Sequence, residues 1–262
     1  MFRIGVTGLV MAAVALMPVT NAAAQDRDWS WEGRVDRGDY IEIKGINGDV
    51  RAELGSGDQV EVRARLSGRK SDPETVRMEV VEHENGVTIC AVYPSKDRDE
   101  PNECRPGRGG KMSVKDNDVR VEFTVMVPAG VNFVGNTVNG DIEALGLDGD
   151  VKVHTVNGDV DVSTTGLAQG ATVNGSITAS MDKANWEGTL DFTTVNGGVT
   201  LEMPADLHCD VSISTVNGHI ASDYPLTVTG KFSPRHVKAT IGDGGRALVV
   251  KTVNGSVNIR RS

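Results

Sequence analysis

Thr155-Val156-Asn157-Gly158-Asp159-Val160-Asp161-Val162 is the stretch that decides the fold, because its first four residues recur along the chain. Copies of Thr-Val-Asn-Gly begin at Thr137, Thr155, Thr172, Thr194, Thr215 and Thr252, and in each one small or polar residue follows before a Val or Ile. The asparagines, Asn139, Asn157, Asn174, Asn196, Asn217 and Asn254, are separated by 18, 17, 22, 21 and 37 residues. Self-similarity at such a period is the mark of a repeat architecture, and the shorter intervals match one coil of a β-solenoid. The last interval is close to two coils, with Ile241-Gly242-Asp243-Gly244 as a candidate worn copy inside it.

Each residue type in the copy suggests a job. Thr and Val favour extended backbone. Asn tolerates and Gly readily accepts a left-handed conformation, so the pair is expected to turn the chain. The expected turn residues are Asn47, Gly48, Asn139, Gly140, Asn157, Gly158, Asn174, Gly175, Asn196, Gly197, Asn217, Gly218, Asn254 and Gly255. After the turn, Val160 and Val162 alternate with Asp159 and Asp161, so the valines point inward and the aspartates outward. Stacked coils would place equivalent asparagines in a row, bonded amide to amide. Asn-Gly between alternating apolar residues is also a strong hairpin signal. The alternative is therefore an antiparallel β-sandwich or barrel of Asn-Gly hairpins. Both readings are all-β, and the recurrence in one phase favours the β-solenoid.

Outward from the repeats, Ile41, Ile43 and Ile46 precede Asn47-Gly48, and Val60, Val62 and Ala64 alternate with charged residues. Residues 25–128 thus form an N-terminal β-strand region sharing a core with the repeats of residues 129–262. Within it, Asp72 to Glu82 is open to either a strand or a short helix, and the charged, Gly- and Pro-rich residues 94–118 read as an exposed loop. Trp29 and Trp31 would share one face of a leading strand and cap one end of the core. The strand after Ser256, ending in Arg260-Arg261, would blunt the other end against edge pairing.

Residues 1–24 have the pattern of a bacterial signal peptide: Arg3, an apolar run from Ile4 to Met17, and Ala22-Ala23-Ala24 before a cut ahead of Gln25. The mature chain is then expected to be periplasmic or secreted, with no membrane span. Loss of Arg3 takes the formal charge from -9 to about -10. That acidity argues against nucleic acid and anionic membranes as partners. An oxidising compartment favours a disulfide between Cys90 and Cys104, closing a loop of about 15 residues. Cys209 aligns with Phe133 in the similar segments after Met203-Pro204-Ala205 and Val127-Pro128-Ala129, and is expected to be buried.

The repeated TVNG copies, the entry Ile41-Glu42-Ile43-Lys44-Gly45-Ile46-Asn47-Gly48-Asp49 and the leader together resemble the DUF4097 β-strand repeat family of adhesin-like bacterial domains, over roughly Asp39 to Arg260. The resemblance implies an exported, repeat-built β domain with an adhesive or envelope-associated role, and it brings no catalytic residues.

Chemistry is otherwise scarce. Polysaccharide lyases and hydrolases use β-helices and need clustered carboxylates. Asp141, Asp159 and Asp161 are the candidates, but the slot after Gly holds Ser176, Gly198, His219 and Ser256 in other copies. That drift reads as solvated turns. Asp141, Asp148, Asp150 and Asp159 are candidate calcium ligands, yet neither the β-roll nonapeptide nor an EF-hand loop is present. Arg105-Pro106-Gly107-Arg108-Gly109-Gly110-Lys111 fails as a phosphate loop, since Met112 stands where Ser or Thr is required. His83, His154, His208, His219 and His236 have no metal-ligand spacing, and no GxSxG elbow occurs. Asn174-Gly175-Ser176 and Asn254-Gly255-Ser256 match the glycosylation pattern incidentally. No cofactor and no metal are expected. The reading is a non-catalytic exported envelope module that binds a protein or glycan. A carbohydrate-active enzyme and a scaffold with no dedicated ligand are the alternatives.

Overall fold

The computed structural model describes residues 26–97, 99–228, 233 and 235–262, so the leader expected over residues 1–24 lies outside the described residues. The described chain is all-β. Its strands are β1 (Asp26–Gly33), β2 (Tyr40–Lys44), β3 (Val50–Leu54), β4 (Val60–Ser67), β5 (Arg77–His83), β6 (Gly86–Val92), β7 (Arg120–Val127), β8 (Asn132–Asn136), β9 (Ile142–Leu147), β10 (Val151–His154), β11 (Val160–Thr164), β12 (Ala168–Ala171), β13 (Ile177–Met181), β14 (Thr189–Thr193), β15 (Val199–Met203), β16 (Cys209–Ser214), β17 (Ile220–Ser222), β18 (Thr227–Val228), β19 (His236–Ile241), β20 (Ala247–Lys251) and β21 (Val257–Arg261). Helix is confined to one 3-10 turn at Pro73–Thr75 among the described residues. The stretch from Asp72 to Glu82 is therefore mostly strand. Asp72 caps the short turn by accepting from Glu74 N.

The strands form two open mixed sheets, in the orders β1-β4-β7-β3-β9-β11-β13-β15-β21-β17 and β18-β19-β16-β20-β14-β12-β10-β8-β2-β6-β5. Neither closes into a barrel. The two strands flanking each TVNG copy lie in different sheets. Around Thr155, β10 pairs in parallel with β8 and β12, while β11 pairs in parallel with β9 and β13. Hairpins would have paired β10 with β11. Instead the copies form rungs, each a strand of one sheet, a corner, and a strand of the other. Antiparallel pairs appear toward the ends, as β1·β4·β7, β5·β6 and β16·β19·β18.

One continuous core lies between the sheets, running from Val35 through Ile41, Phe123, Val160 and Leu201 to Ile259. Alternation makes it: in β11 Val160 and Val162 are buried and Asp161 is exposed. Each buried Val or Ile contributes roughly 1.5–3 kcal/mol. The few aromatic rings fill space left by missing side chains: Phe133 lies against Gly135, and Phe192 against Gly170. Trp29 and Trp31 pack partly buried against the core from edge strand β1.

The rungs do not all stack in chain order. Bridges between asparagines run Asn47, Asn139, Asn157, Asn174, Asn196, Asn254, Asn217. The β20/β21 rung thus sits between the β14/β15 and β16/β17 rungs. The 37-residue interval is explained by this detour and not by a worn copy: Ile241 ends β19, which runs antiparallel to β16. For the same reason Arg260 and Arg261 close an interior strand, not a blunted edge. The register also moves the partner of Phe133. Through Val151, Ala168, Leu190 and Leu248 its row reaches Val211, two residues beyond the buried Cys209.

Glycine in the corner has a different reason from the one its sequence suggests. No asparagine of the described chain has a positive φ, and of the seven corner glycines only Gly48 and Gly197 do, at 127° and 158°. Close stacking is the constraint. A Cβ on Gly140 would lie 2.1 Å from the Gly48 carbonyl oxygen, on Gly158 2.0 Å from that of Gly140, and on Gly175 1.9 Å from that of Gly158. Gly255 meets Gly197 and Gly218 meets Gly255 at 1.9 Å. The expected outcome of Gly158→Ala is a loss of about 3 kcal/mol or more in denaturant unfolding, because backbone must move. Gly57→Ala, with only Gln59 N at 3.9 Å, should change stability by less than about 0.5 kcal/mol.

Candidate functional site: the stacked corner

The corner is held by four interactions that repeat from rung to rung. Thr155 Oγ1 donates to the Gly140 carbonyl at 2.9 Å, Thr172 to Gly158 at 2.9 Å, Thr194 to Gly175 at 2.7 Å, Thr252 to Gly197 at 2.8 Å and Thr215 to Gly255 at 2.8 Å. These threonines are buried, and the bond satisfies their hydroxyls. The Asn Nδ2 donates to the Asn Oδ1 of the preceding rung in the stack, from Asn139 to Asn47 at 2.8 Å and onward to Asn217 on Asn254 at 2.8 Å. Main-chain bonds run both ways: Asn157 N donates to Val138 O, and Gly140 N to Asn157 O. At the N-terminal end of the stack the amide row finishes on the Val119 carbonyl, which accepts from Asn47 Nδ2 at 3.5 Å.

The slot after Gly is the fourth. Asp159 N donates to Asp141 Oδ1 at 2.8 Å, and Ser176 N to Asp159 Oδ1 at 2.7 Å. Ser176 Oγ and Ser256 Oγ accept in the same way from Gly198 N and His219 N, both at 3.2 Å. Asp141 and Asp159 are therefore backbone acceptors, where the sequence suggested merely solvated turns. Serine can replace aspartate there because a single acceptor oxygen suffices. The opposite corner uses the same device: Leu167 N donates to Asp150 Oδ1 at 2.9 Å and Thr165 Oγ1 to Asp148 Oδ1 at 2.6 Å.

Among the described residues no group of three or more His, Cys, Asp or Glu is gathered as a metal site. Asp161 faces Glu143 across the β11–β9 register. Burial, and then the Glu143 charge, raise its carboxyl above the usual aspartate value. An open depression of about 530 Å³ on the first sheet is lined by Trp29, Ser30, Arg51, Arg63, Arg65 and Glu122. Its guanidiniums are engaged within the chain, Arg51 with Glu143 at 3.1 Å, Arg63 with Glu61 at 3.4 Å and Arg65 with Asp26 at 2.5 Å.

A buried carboxylate that the sequence did not single out holds the charged loop. Glu42 Oε2 accepts from Thr88 Oγ1 at 2.9 Å and from Gly107 N at 2.8 Å, and Oε1 from Asn136 Nδ2 at 3.2 Å. Beside it, Lys44 Nζ donates to the carbonyls of Arg105 at 2.6 Å, Gly109 at 3.2 Å and Gly107. The segment that invited a phosphate-loop reading thus turns carbonyls toward an ammonium. Cys90 and Cys104 are joined by a disulfide at the same place, with a Cα–Cα distance of 5.7 Å. Tyr93 donates to the Val119 carbonyl at 2.8 Å across the base of the loop, and burial pushes its pKa up to about 12. Cys209 is a buried free thiol, its pKa raised by burial to about 12.

Residues 131–260 match the Toastrack DUF4097 family. No curated protein matches the chain. Among solved structures, a putative cell adhesion protein from Clostridium sporogenes is 12% identical over 91% of this chain and 100% of that chain, with a TM-score of 0.44. A putative adhesin from Bacteroides fragilis is 12% identical over 90% and 97%, with a TM-score of 0.25. A putative lipid binding protein from Parabacteroides distasonis is 10% identical over 91% and 97%, with a TM-score of 0.27. Likenesses this loose carry no functional argument.

Two outcomes are expected here. Asp159→Ala removes the acceptor for Ser176 N and should cost about 1 kcal/mol in denaturant unfolding, while Asp159→Asn should cost less. Acid should destabilise the fold. The Ser71 N–H lowers the Asp118 carboxyl, and Thr240 together with the Gly245 N–H lowers Asp210. A depressed carboxyl contributes stability above its unfolded pKa and loses it as pH falls through the folded one. Thermal midpoints should hold from neutral pH down to about pH 5 and fall below about pH 4, less steeply in Asp210→Asn.

Proposed function

The chain belongs to the Toastrack DUF4097 family through residues 131–260, and from that premise we propose that it is a non-catalytic, exported envelope module built as a two-sheet β-solenoid. The observation that carries this reading is the stacked corner. Its threonines, asparagines and aspartates, the polar groups most abundant in the repeats, are engaged with neighbouring rungs. What remains outward is a regular, rigid surface suited to binding or to scaffolding. The disulfide agrees with an oxidising compartment, periplasmic or extracellular. The N-terminal leader read over residues 1–24 supplies the export signal. No helix among the described residues is long and apolar enough to cross a membrane. An envelope protein or glycan is the partner class.

A second reading, a polysaccharide lyase or hydrolase, rests on the raised Asp161 carboxyl facing Glu143. Crosslinking pull-down of the purified mature protein from envelope fractions should retain a partner, and the Asp141→Asn, Asp159→Asn, Asp161→Asn triple variant should retain it equally. Turnover of acidic polysaccharides by the parent chain, abolished in that variant, would replace the module with the enzyme. An empty pull-down would leave a scaffold without a ligand.

A further inference from the structure

The residue between Thr and Asn in each corner faces solvent although it is apolar. Val138, Val173 and Val253 are 37–38% exposed and Val216 is 52% exposed, with Val156 and Val195 half-buried in the same row. Ile46 begins the row beside Asn47. The strand spacing sets one such side chain every ~4.8 Å, so seven rungs make a ridge about 30 Å long and one residue wide. Its first two positions, Ile46 and Val138, share a depression with Met112 and Val114 of the charged loop. Beside it runs the amide row. Each interior asparagine uses one N–H and one lone-pair direction within that row, from Asn139 on Asn47 to Asn254 on Asn196. An amide has a second N–H and a second lone pair. These have no protein partner among the described residues, and the side chains are exposed.

We propose that this ridge binds a linear, neutral, β-1,4-linked glycan, an inference that rests on the envelope-module reading. A pyranose ring has an apolar C–H face and hydroxyl edges, which fit a valine row flanked by free amide donors and acceptors. One sugar ring is about as long as one rung and successive β-1,4-linked rings are flipped, so each valine meets a ring face while the amide row meets alternating hydroxyl edges. Charge does not favour a polyanion, because the few cations beside the valine row, Lys44 and Lys251, are balanced on the far side of the amide row by Asp49, Asp141 and Asp159. Area selects against a second folded protein: a ridge one residue wide falls well short of the ~800 Å² per partner of a stable protein interface. Backbone geometry selects against an added peptide strand, because the corner N–H and carbonyl groups are already bonded between rungs, as in Asn174 N to Val156 O and Gly158 N to Asn174 O.

The test is calorimetric titration of the mature protein with chitohexaose and cellohexaose, compared with a Val138→Ser, Val173→Ser, Val253→Ser triple variant. The wild type should bind at least one hexasaccharide, and the variant about tenfold more weakly, with unchanged circular dichroism. Asn157→Ala in the partner row should weaken binding as well. Equal affinity in the folded triple variant overturns the proposal. So does self-association in sedimentation that the triple variant abolishes while no sugar binds. Absence of hexasaccharide binding with an envelope partner still captured sinks the glycan and leaves the module; absence of both sinks the two together.

Discussion

Everything in this molecule depends on how closely one corner can approach the next. A glycine lies on the carbonyl of the glycine beneath it, at a separation that a single added carbon would violate. That approach brings threonine hydroxyl, asparagine amide and aspartate carboxylate within bonding distance of the neighbouring rung. Each bond is worth only about 0.5–1.5 kcal/mol. Repeated along the stack, they fix the register of both sheets, and the register decides which valines face the core. The hydrophobic term then supplies most of the stability, as it does in any fold, but the corner chooses where it acts.

Toward its ends the stack departs from the parallel pattern. Any outermost strand leaves a row of unpaired backbone groups, and here those strands are β1, β17, β18 and β5. Near each end the chain adds antiparallel strands, β1, β4 and β5 at one end, β18 and β19 at the other. The charged loop replaces a corner at the N-terminal end, between β6 and β7. It is anchored by the Cys90–Cys104 disulfide, by Glu42 and by the Lys44 ammonium. Buried ionic groups are costly unless every lone pair and proton is matched. Here both Glu42 oxygens and the Lys44 ammonium have partners.

The strand content and the alignment of the copies were legible because Thr-Val-Asn-Gly recurs in a single phase, with Val or Ile two residues beyond. Reasons for individual residues were less so. Gly158 looked like a turn glycine, yet its constraint is the carbonyl of Gly140, an atom 18 residues away that local pattern cannot display. Asp159 looked solvated because its bond is to Ser176 N in another rung. Glu42 was invisible as a site, since its cover comes from Gly107 and Asn136. Strand order at the C-terminal end was illegible for the same cause: all copies share one motif, so no copy announces which neighbour it will take.

The displaced β20/β21 rung has a consequence for how the protein is made. Strands β14 and β16 never touch as neighbours; β20 is wedged between them. Until residues 247–261 have emerged, β16 lacks its parallel partner and β15 and β17 have nothing to join them. A chain still on the ribosome therefore holds an unfinished C-terminal half, open at the seam. The seam closes only when those last strands take their place between β15 and β17 and between β14 and β16.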